Sequence, residues 1–547
     1  MRFVSVCLRA ADPRRAYLPL KYGQQGCSVL TSTSGRRGLR YFSHNKETAG
    51  ADEKGLVTLA IETSCDDTCV TVLHKTGDAA RILFNAKVTS DNRKFGGIKP
   101  DEAVQGHSSS LAGIVQAAIQ KLPADRPRPD FISVTRGPGI ASALSIGLTM
   151  AKGLAVAWDR PLVAVHHMQA HALTPRLVEA LANEQQQQQQ PPQGGARPAF
   201  PFLSLLASGG HTQLLLTRSA VSHTTLAEAA NVAIGDMLDK CARAILPPHI
   251  LAETPDVMYA AELERFAFAP TAQPGSTQST PTPASPTSTY TYTPPPTRHA
   301  EIQPYTSPHH LWTLTPPFHA RRDMAFDFSG LGGQVQAIMQ RNPSMDTAQR
   351  AELARETMRL AFEHLASRVL FALDGMRAAA AAAGEGEGKR RKAKAKAEEE
   401  EEEEGRGLPP PPPVPKTLVV SGGVAANRFL MHVLRGVLAA RGYGPEEVAV
   451  VRPPQALCTD NAVMVAWAGM EMWEAGWCSD LSVLPQRRWS MDDGCGGLET
   501  QTHAGGQQVI ERKGILGLDG WRRRFPDAEM SGREAAAEVR ETEGKDV

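Results

Sequence analysis

Neither a disulfide framework nor a membrane span is written into this 547-residue sequence. Its eight cysteines (Cys7, Cys27, Cys65, Cys69, Cys241, Cys458, Cys478 and Cys495) contain no C-x-x-C pair. That excludes a zinc ribbon and a thioredoxin-like redox site, and fits a reducing compartment. No run of about 18 consecutive apolar residues occurs, so no membrane contact is expected. Net charge is also nearly missing, at a formal +1. Residues 1–40 hold eight basic residues against the single acid Asp12, a net +7, which leaves −6 for the remainder. Bulk charge therefore does not advertise nucleic-acid binding, and any RNA contact must be a local patch.

What is present divides into core and filler. An apolar content of 41% supports globular folding, while 40 prolines mark stretches that do not. The Arg-rich, acid-poor start reads as a mitochondrial presequence over residues 1–45, with a matrix address, and Arg40-Tyr41-Phe42-Ser43 resembles a processing site. Three low-complexity inserts are expected to be disordered: 185–198 (Gln, Pro), 269–308 (Pro, Thr, Ser) and 378–415. The last opposes six basic residues at 389–396 to seven glutamates at 398–404. Residues 491–547 read as a loosely ordered tail.

Between the inserts, apolar runs alternate with amphipathic stretches. Gly55–Ser64, Thr68–His74 and Arg81–Val88 have the spacing of a three-strand meander. The loop Glu62-Thr63-Ser64-Cys65-Asp66-Asp67-Thr68 is dense in carboxylates and hydroxyls, and Glu62, Ser64 and Asp66 could face phosphate or metal. Val163-Ala164-Val165 then runs into His166-His167-Met168-Gln169-Ala170-His171. On a helix His167 and His171 project from one face, one turn apart, so they can share a divalent metal if a third ligand arrives. Two apolar strands, Leu205–Ala207 and Leu418–Val420, each end in Ser-Gly-Gly. Paired glycines allow close backbone approach, and the repetition predicts a nucleotide held between matching halves.

LAIETSCDDT (59–68), TRGPG (135–139), AKGLA (151–155), VHHMQAHAL (165–173), SGGHTQL (208–214), GDMLDKCAR (235–243), SGGVAANRFL (421–430) and CTDNAVMVAWAG (458–469) together resemble one family in order. It is the universal tRNA adenosine threonylcarbamoyltransferase family, once named O-sialoglycoprotein endopeptidases, and in particular its mitochondrial branch. The resemblance implies an α/β fold, two-lobed and actin-like or sugar-kinase-like. The first lobe would span 55–160, with 460–490 returning to it, and the second 161–459. It implies transfer of a threonylcarbamoyl group from threonylcarbamoyladenylate to the N6 amine of the adenosine 3′ of a tRNA anticodon, with release of AMP. The donor would come from a separate synthase, and the enzyme would be a homodimer.

By position, the resemblance makes His167, His171 and Asp460 the ligands of one divalent ion per subunit, iron or zinc. It makes Ser208, Gly209, Gly210, His211 and Thr212 a cradle for the acyl-adenylate, and Asp239 and Asn427 ribose and adenosine contacts. Arg487 and Arg488, beside Trp489, are expected at the tRNA. The sequence departs from the family at Leu246-Pro247-Pro248-His249, at Ser329-Gly330-Leu331-Gly332-Gly333, and at Asp101–His107, where the usual glycine-rich, lysine-bearing and arginine-bearing segments differ. An actin-like ATPase or small-molecule kinase is the alternative. A zincin is excluded, since Met168 stands where H-E-x-x-H needs its general base.

Overall fold

The computed structural model describes residues 55–186, 197–254, 258–269, 290–310, 312–318, 321–394, 414–492, 500–502, 508–510 and 514–524. The expected presequence lies outside them, as does most of the Gln/Pro insert.

Two sheets carry the fold, and their central strands repeat one topology. In the first, β1 (Leu56–Glu62), β2 (Asp67–Thr76) and β3 (Ala79–Thr89) form an antiparallel meander. On the other side of β1, β4 (Phe131–Gly137) and β5 (Leu162–His166) add in parallel. In the second, β6 (Phe202–Ala207), β7 (Thr212–Thr217) and β8 (His223–Glu228) make the same meander. There β9 (Thr417–Ser421) and β10 (Ala449–Val451) add in parallel beside β6. The central parallel strands β1, β4, β5, β6 and β9 are buried along almost their whole length, as strands covered by helices on both faces are.

The helices that matter for the site are α1 (Pro100–Ile119), α2 (Ala141–Trp158), α3 (His167–Gln186), α4 (Ile234–Ile245), α5 (Ala260–Ala267), α6 (Ser329–Arg341), α7 (Thr347–Lys394), α8 (Arg428–Ala440) and α9 (Ala462–Glu474). Every residue of α9 from Ala462 to Trp473 is buried, which is the signature of a core helix packed on all sides. It lies against α3 and against β1, β2, β4 and β5. Among the described residues α2 is the one helix long and apolar enough to cross a membrane. Its Ala143, Leu144, Leu148, Ala151 and Ala155 are buried, and it packs on β4 and α1.

Four expectations are corrected. First, β5 belongs to the first sheet through its pairing with β4, so the lobe boundary falls after His166 and not at 160. Second, the chain after 491 is not wholly a tail. β12 (Trp521–Arg523) pairs antiparallel with β11 (Trp477–Ser479), which borders β5, and Ile515 is fully buried. Third, the end of the Pro/Thr insert is docked. Tyr290 Oη donates to Glu363 at 2.8 Å and Tyr305 Oη to Glu352 at 3.2 Å, both on α7. Fourth, α7 continues to Lys394, into the expected 378–415 insert, because its Ala and Lys residues are strong helix formers.

One buried ion pair ties the two site-bearing helices together. Arg176 Nε of α3 donates to Glu471 Oε1 of α9 at 2.6 Å, with the side chains 12% and 6% exposed. The guanidinium also sits 4.3 Å from the Phe200 ring centroid. Glu471→Ala would strand a buried cation, so we expect a loss of about 3–5 kcal/mol, read from the urea midpoint. Glu471→Gln, which can still accept a hydrogen bond, should lose less.

Candidate functional site

The carboxyl ends of parallel strands are where open α/β sheets bind ligands. Glu62 ends β1, Thr135 lies near the end of β4, and His167 follows β5 directly. The turn after β5 starts α3 at once, so His167 and His171 occupy its first and second turns with rings 4.8 Å apart. Asp460 sits one residue ahead of Asn461, whose side chain caps α9 by accepting from Met464 N–H. Because α9 is buried on all sides, that cap fixes where the Asp460 carboxylate points.

These three residues converge. Asp460 Oδ1 is 3.4 Å from His167 Nε2 and 3.2 Å from His171 Nε2, and the three ligand atoms lie within 4.8 Å of one another. The outer face of His167 is held as a metal ligand requires. Its Nδ1 lies 3.1 Å from Glu62 Oε2 and 3.2 Å from Ser64 Oγ, leaving Nε2 to face Asp460. Glu62 is in turn fixed by Ser64 N–H at 2.5 Å and by the Thr135 hydroxyl. A carboxylate behind a ligating imidazole sets its tautomer and raises its basicity. Two buried imidazoles and one half-buried carboxylate, all preoriented, fit a divalent ion with positions left open for substrate.

The electrostatics call for a cation at this point. Burial pushes the His167 imidazolium down, but the Glu62 and Asp460 carboxylates outweigh it and hold its pKa up at about 10. Asp460 is kept well below the usual carboxylate range, since His167 and then His171 overcome its burial. Burial lowers the pKa of His171. A metal must therefore displace one proton, from His167, and titration with zinc near pH 8 should release about one proton per ion. The metal-free protein gains stability from this imidazolium below the unfolded value of 6.5 and loses it as pH rises through about 10. Indicator dye in weak buffer checks the first point; a release near zero would show His167 already neutral.

The remaining candidates separate into two groups. Gly209 and Gly210 open onto space in which an added Cβ would meet nothing within 4 Å, as a ligand cradle requires. The turn around them is rigid: Ser208 N–H donates to His211 O at 2.8 Å, and Ser208 Oγ accepts from His211 N–H at 3.0 Å. It is also clamped to the start of α4. Gly235 comes so close that a Cβ there would lie 2.7 Å from Ser208 O. Thr212 Oγ1 accepts from Ile234 N–H at 2.9 Å, so this hydroxyl caps α4. His211 is near enough to the metal histidines to feel them: burial, then His167 and His171, lower its pKa to about 4. The second Ser-Gly-Gly packs on the first strand, with Gly422 at φ +92° against Ala207 O.

The side chains of Asp239 and Asn427 each hold the start of a helix. One Asp239 oxygen accepts from Ala260 N–H at 2.7 Å, at the start of α5. Asn427 is 8% exposed and caps α8 by accepting from Leu430 N–H at 2.9 Å. Asp66 Oδ2 accepts from Asn92 Nδ2 at 3.1 Å, which makes it an anchor for the following loop. Arg487 and Arg488 are exposed, but Trp489 is buried, with Arg136 over its ring at 5.4 Å, and offers no stacking face. Sequence reasoning missed His107. It is fully buried, with Nδ1 2.7 Å from Thr68 Oγ1 and Nε2 2.9 Å from Cys65 O, and it braces the 65–68 loop. Its retention inside the altered 101–107 segment was the available signal.

A duplicated meander-plus-parallel topology, with a His-His-Asp centre at its strand ends, defines a two-lobed protein of the actin-like class with a site able to hold a metal. Residues 81–413 match the family described as TsaD, tRNA N6-adenosine threonylcarbamoyltransferase. The mitochondrial tRNA N6-adenosine threonylcarbamoyltransferase of Schizosaccharomyces pombe is 30% identical, over 80% of this chain and 87% of its own. The tRNA N6-adenosine threonylcarbamoyltransferase of Rhodopseudomonas palustris strain HaA2 is 28% identical, over 80% of this chain and 95% of its own. Among solved structures, T. kodakarensis HypF is similar over 78% of this chain and 48% of that one, at 13% identity and a TM-score of 0.37. The chain belongs to the tRNA N6-adenosine threonylcarbamoyltransferase family.

Proposed function

We infer that this chain transfers the threonylcarbamoyl group of threonylcarbamoyladenylate to the N6 amine of the adenosine 3′ of the anticodon in mitochondrial tRNAs. A bond forms between that nitrogen and the carbamoyl carbon. The bond from that carbon to the phosphate oxygen breaks, AMP leaves with the bonding pair, and the amine gives up one proton. The carrying observation is the convergence of His167, His171 and Asp460 beside the open Gly209-Gly210 turn.

The donor is a mixed anhydride, so no protein nucleophile is needed. A divalent ion held by His167, His171 and Asp460, iron or zinc by its donor set and one per subunit, would polarise the donor as a Lewis acid. The chain's own part is positioning. Glu62 and Ser64 hold the His167 ring. The Ser208–Thr212 turn, fixed by its internal bonds and by α4, presents backbone N–H groups to the adenylate, and N–H donors set in advance cost no reorganisation as charge develops. Purified protein given threonylcarbamoyladenylate and unmodified tRNA should yield threonylcarbamoyladenosine, read by mass spectrometry of digested nucleosides. Absence of product under metal-replete conditions would contradict the reading.

The donor is supplied by a separate synthase, a reading that rests on the family resemblance. Self-association fits the exposed side of α2, where Ile146, Met150 and Leu154 line a shallow apolar groove beside exposed Val156. Light scattering should give a homodimer, and Met150→Glu a monomer. The relative named mitochondrial and the Arg-rich start both support a matrix location. A reporter fused to residues 1–45 should enter mitochondria; a diffuse cytosolic signal would sink that claim.

A further inference from the structure

One exposed loop lies beside the site and has no part in the chemistry above. Residues 90–99 connect β3 to α1, and their base is anchored at the metal centre's own loop. Asn92, 3% exposed, donates to Asp66 Oδ2 and accepts from Lys99 N–H at 3.0 Å, while Ser90 N–H donates to Asp66 O at 3.0 Å. Asp66 follows the Glu62–Ser64 segment that grips His167. The tip crosses to the second lobe: Arg243 of α4, the helix clamping the 208–212 turn, donates to Gly96 O at 3.1 Å. Gly96 makes this turn at φ +63°, where a side chain is disfavoured.

The tip displays what packing would normally hide. Phe95 is 41% exposed and Ile98 45% exposed, and Phe95 is the one aromatic among the exposed large hydrophobics of the described residues. Two ammonium groups flank its ring, Lys94 Nζ at 4.8 Å and Lys99 Nζ at 4.6 Å from the centroid. Both lysines lie 3.7 Å from Glu102, and Arg93 pairs with Asp91 at 2.6 Å. Surface pairs of this kind contribute about 1 kcal/mol or less, so an incoming phosphate exchanges with them at little cost.

We propose that the 90–99 loop is a reading element for single-stranded RNA, in which Phe95 stacks on a base beside the target adenosine and Lys94 and Lys99 meet the flanking phosphates. Sequence-specific RNA recognition works on unstacked loop bases laid on aromatic faces, and an aromatic among basic residues is the usual platform. Turning a stacked loop adenine into a pocket costs the stacking on its neighbours, and a surface that takes up the neighbouring base offsets that cost in binding. The loop is tied at its base to Asp66 of the 62–68 loop and at its tip to Arg243, in the last turn of α4, which sets the surface where the two lobes face each other. This rests on the tRNA-modifying function proposed above.

The test compares full-length wild-type protein, Phe95→Ala, Phe95→Leu and Phe95→Trp, using unmodified tRNA transcript. Phe95→Ala and Phe95→Leu should raise both Kd and KM for the transcript about tenfold, with kcat and threonylcarbamoyladenylate affinity unchanged. Phe95→Trp should keep wild-type KM, and the transcript should quench its added fluorescence over the same concentration range. Lys94→Ala with Lys99→Ala should flatten the salt dependence of binding. Kd and KM within twofold of wild type for Phe95→Ala, or added fluorescence in Phe95→Trp that the transcript leaves unquenched, would overturn the proposal. Loss in Phe95→Ala together with equal loss in Phe95→Trp would also overturn it, by showing a role other than stacking. If wild-type protein transfers nothing to tRNA, the functional reading fails, and the binding comparison still decides the loop.

Discussion

His167→Ala combined with His171→Ala should abolish both bound metal and threonylcarbamoyl transfer. Asp460 alone would remain, and one carboxylate does not retain a transition-metal ion against water. Loss of Lewis-acid stabilisation worth several kcal/mol corresponds to a rate reduction of about 10³-fold or more. Truncation also removes the imidazolium that stabilises the metal-free protein between Glu62 and Asp460, so the urea midpoint of the variant is measured alongside to show that it is folded under assay conditions. Elemental analysis and single-turnover transfer read the two effects separately. Metal retained at one ion per subunit would place the metal elsewhere; full transfer without metal would remove it from the reaction.

Glu62→Ala should come second in size. Glu62 is 1% exposed and touches His167, Ser64 and Thr135 at once. Its removal takes away one of the two groups that hold the His167 ring and leaves the buried Ser64 N–H and Thr135 hydroxyl without their acceptor. Removal of a carboxylate behind a ligating histidine lowers metal affinity by about 10–100-fold, and transfer at limiting metal should fall in proportion. Glu62→Gln separates orientation from charge. It can still accept from one donor, but with one carboxylate fewer the His167 pKa falls, so fewer protons are released on zinc binding than in the wild type. Unchanged affinity in Glu62→Ala would mean that Ser64 alone orients the ring.

The sequence made the chemistry more legible than the architecture around it. His167 and His171 were readable because helical spacing puts residues four apart on one face. Asp460 needed the family resemblance, since nothing local links it to histidines almost 300 positions earlier. The function of Glu62 was hidden because seven consecutive polar or titratable residues, 62–68, offer many donors. The register of β1 against β4 decides which of them points at β5. Asp239 and Asn427 match family positions, yet their side chains satisfy helix N-termini, a use that composition cannot separate from ligand binding. The Pro/Thr insert concealed Tyr290 and Tyr305, two anchors in a segment whose average polarity argues against packing. Residues 514–524 were hidden by distance: a three-residue edge strand after a Gly-rich stretch has too short a pattern to stand out.

The central claim is acyl transfer to a tRNA adenosine at this His-His-Asp centre. The most direct measurement supplies threonylcarbamoyladenylate labelled with ¹³C at the carbamoyl carbon to purified, zinc- or iron-loaded protein and unmodified tRNA, and follows the label and AMP together. The account predicts label on the N6 nitrogen of the adenosine 3′ of the anticodon, one AMP for each modified nucleoside, and neither in the His167→Ala, His171→Ala protein. AMP released without label on the tRNA, or the same labelling by the double mutant, would contradict it.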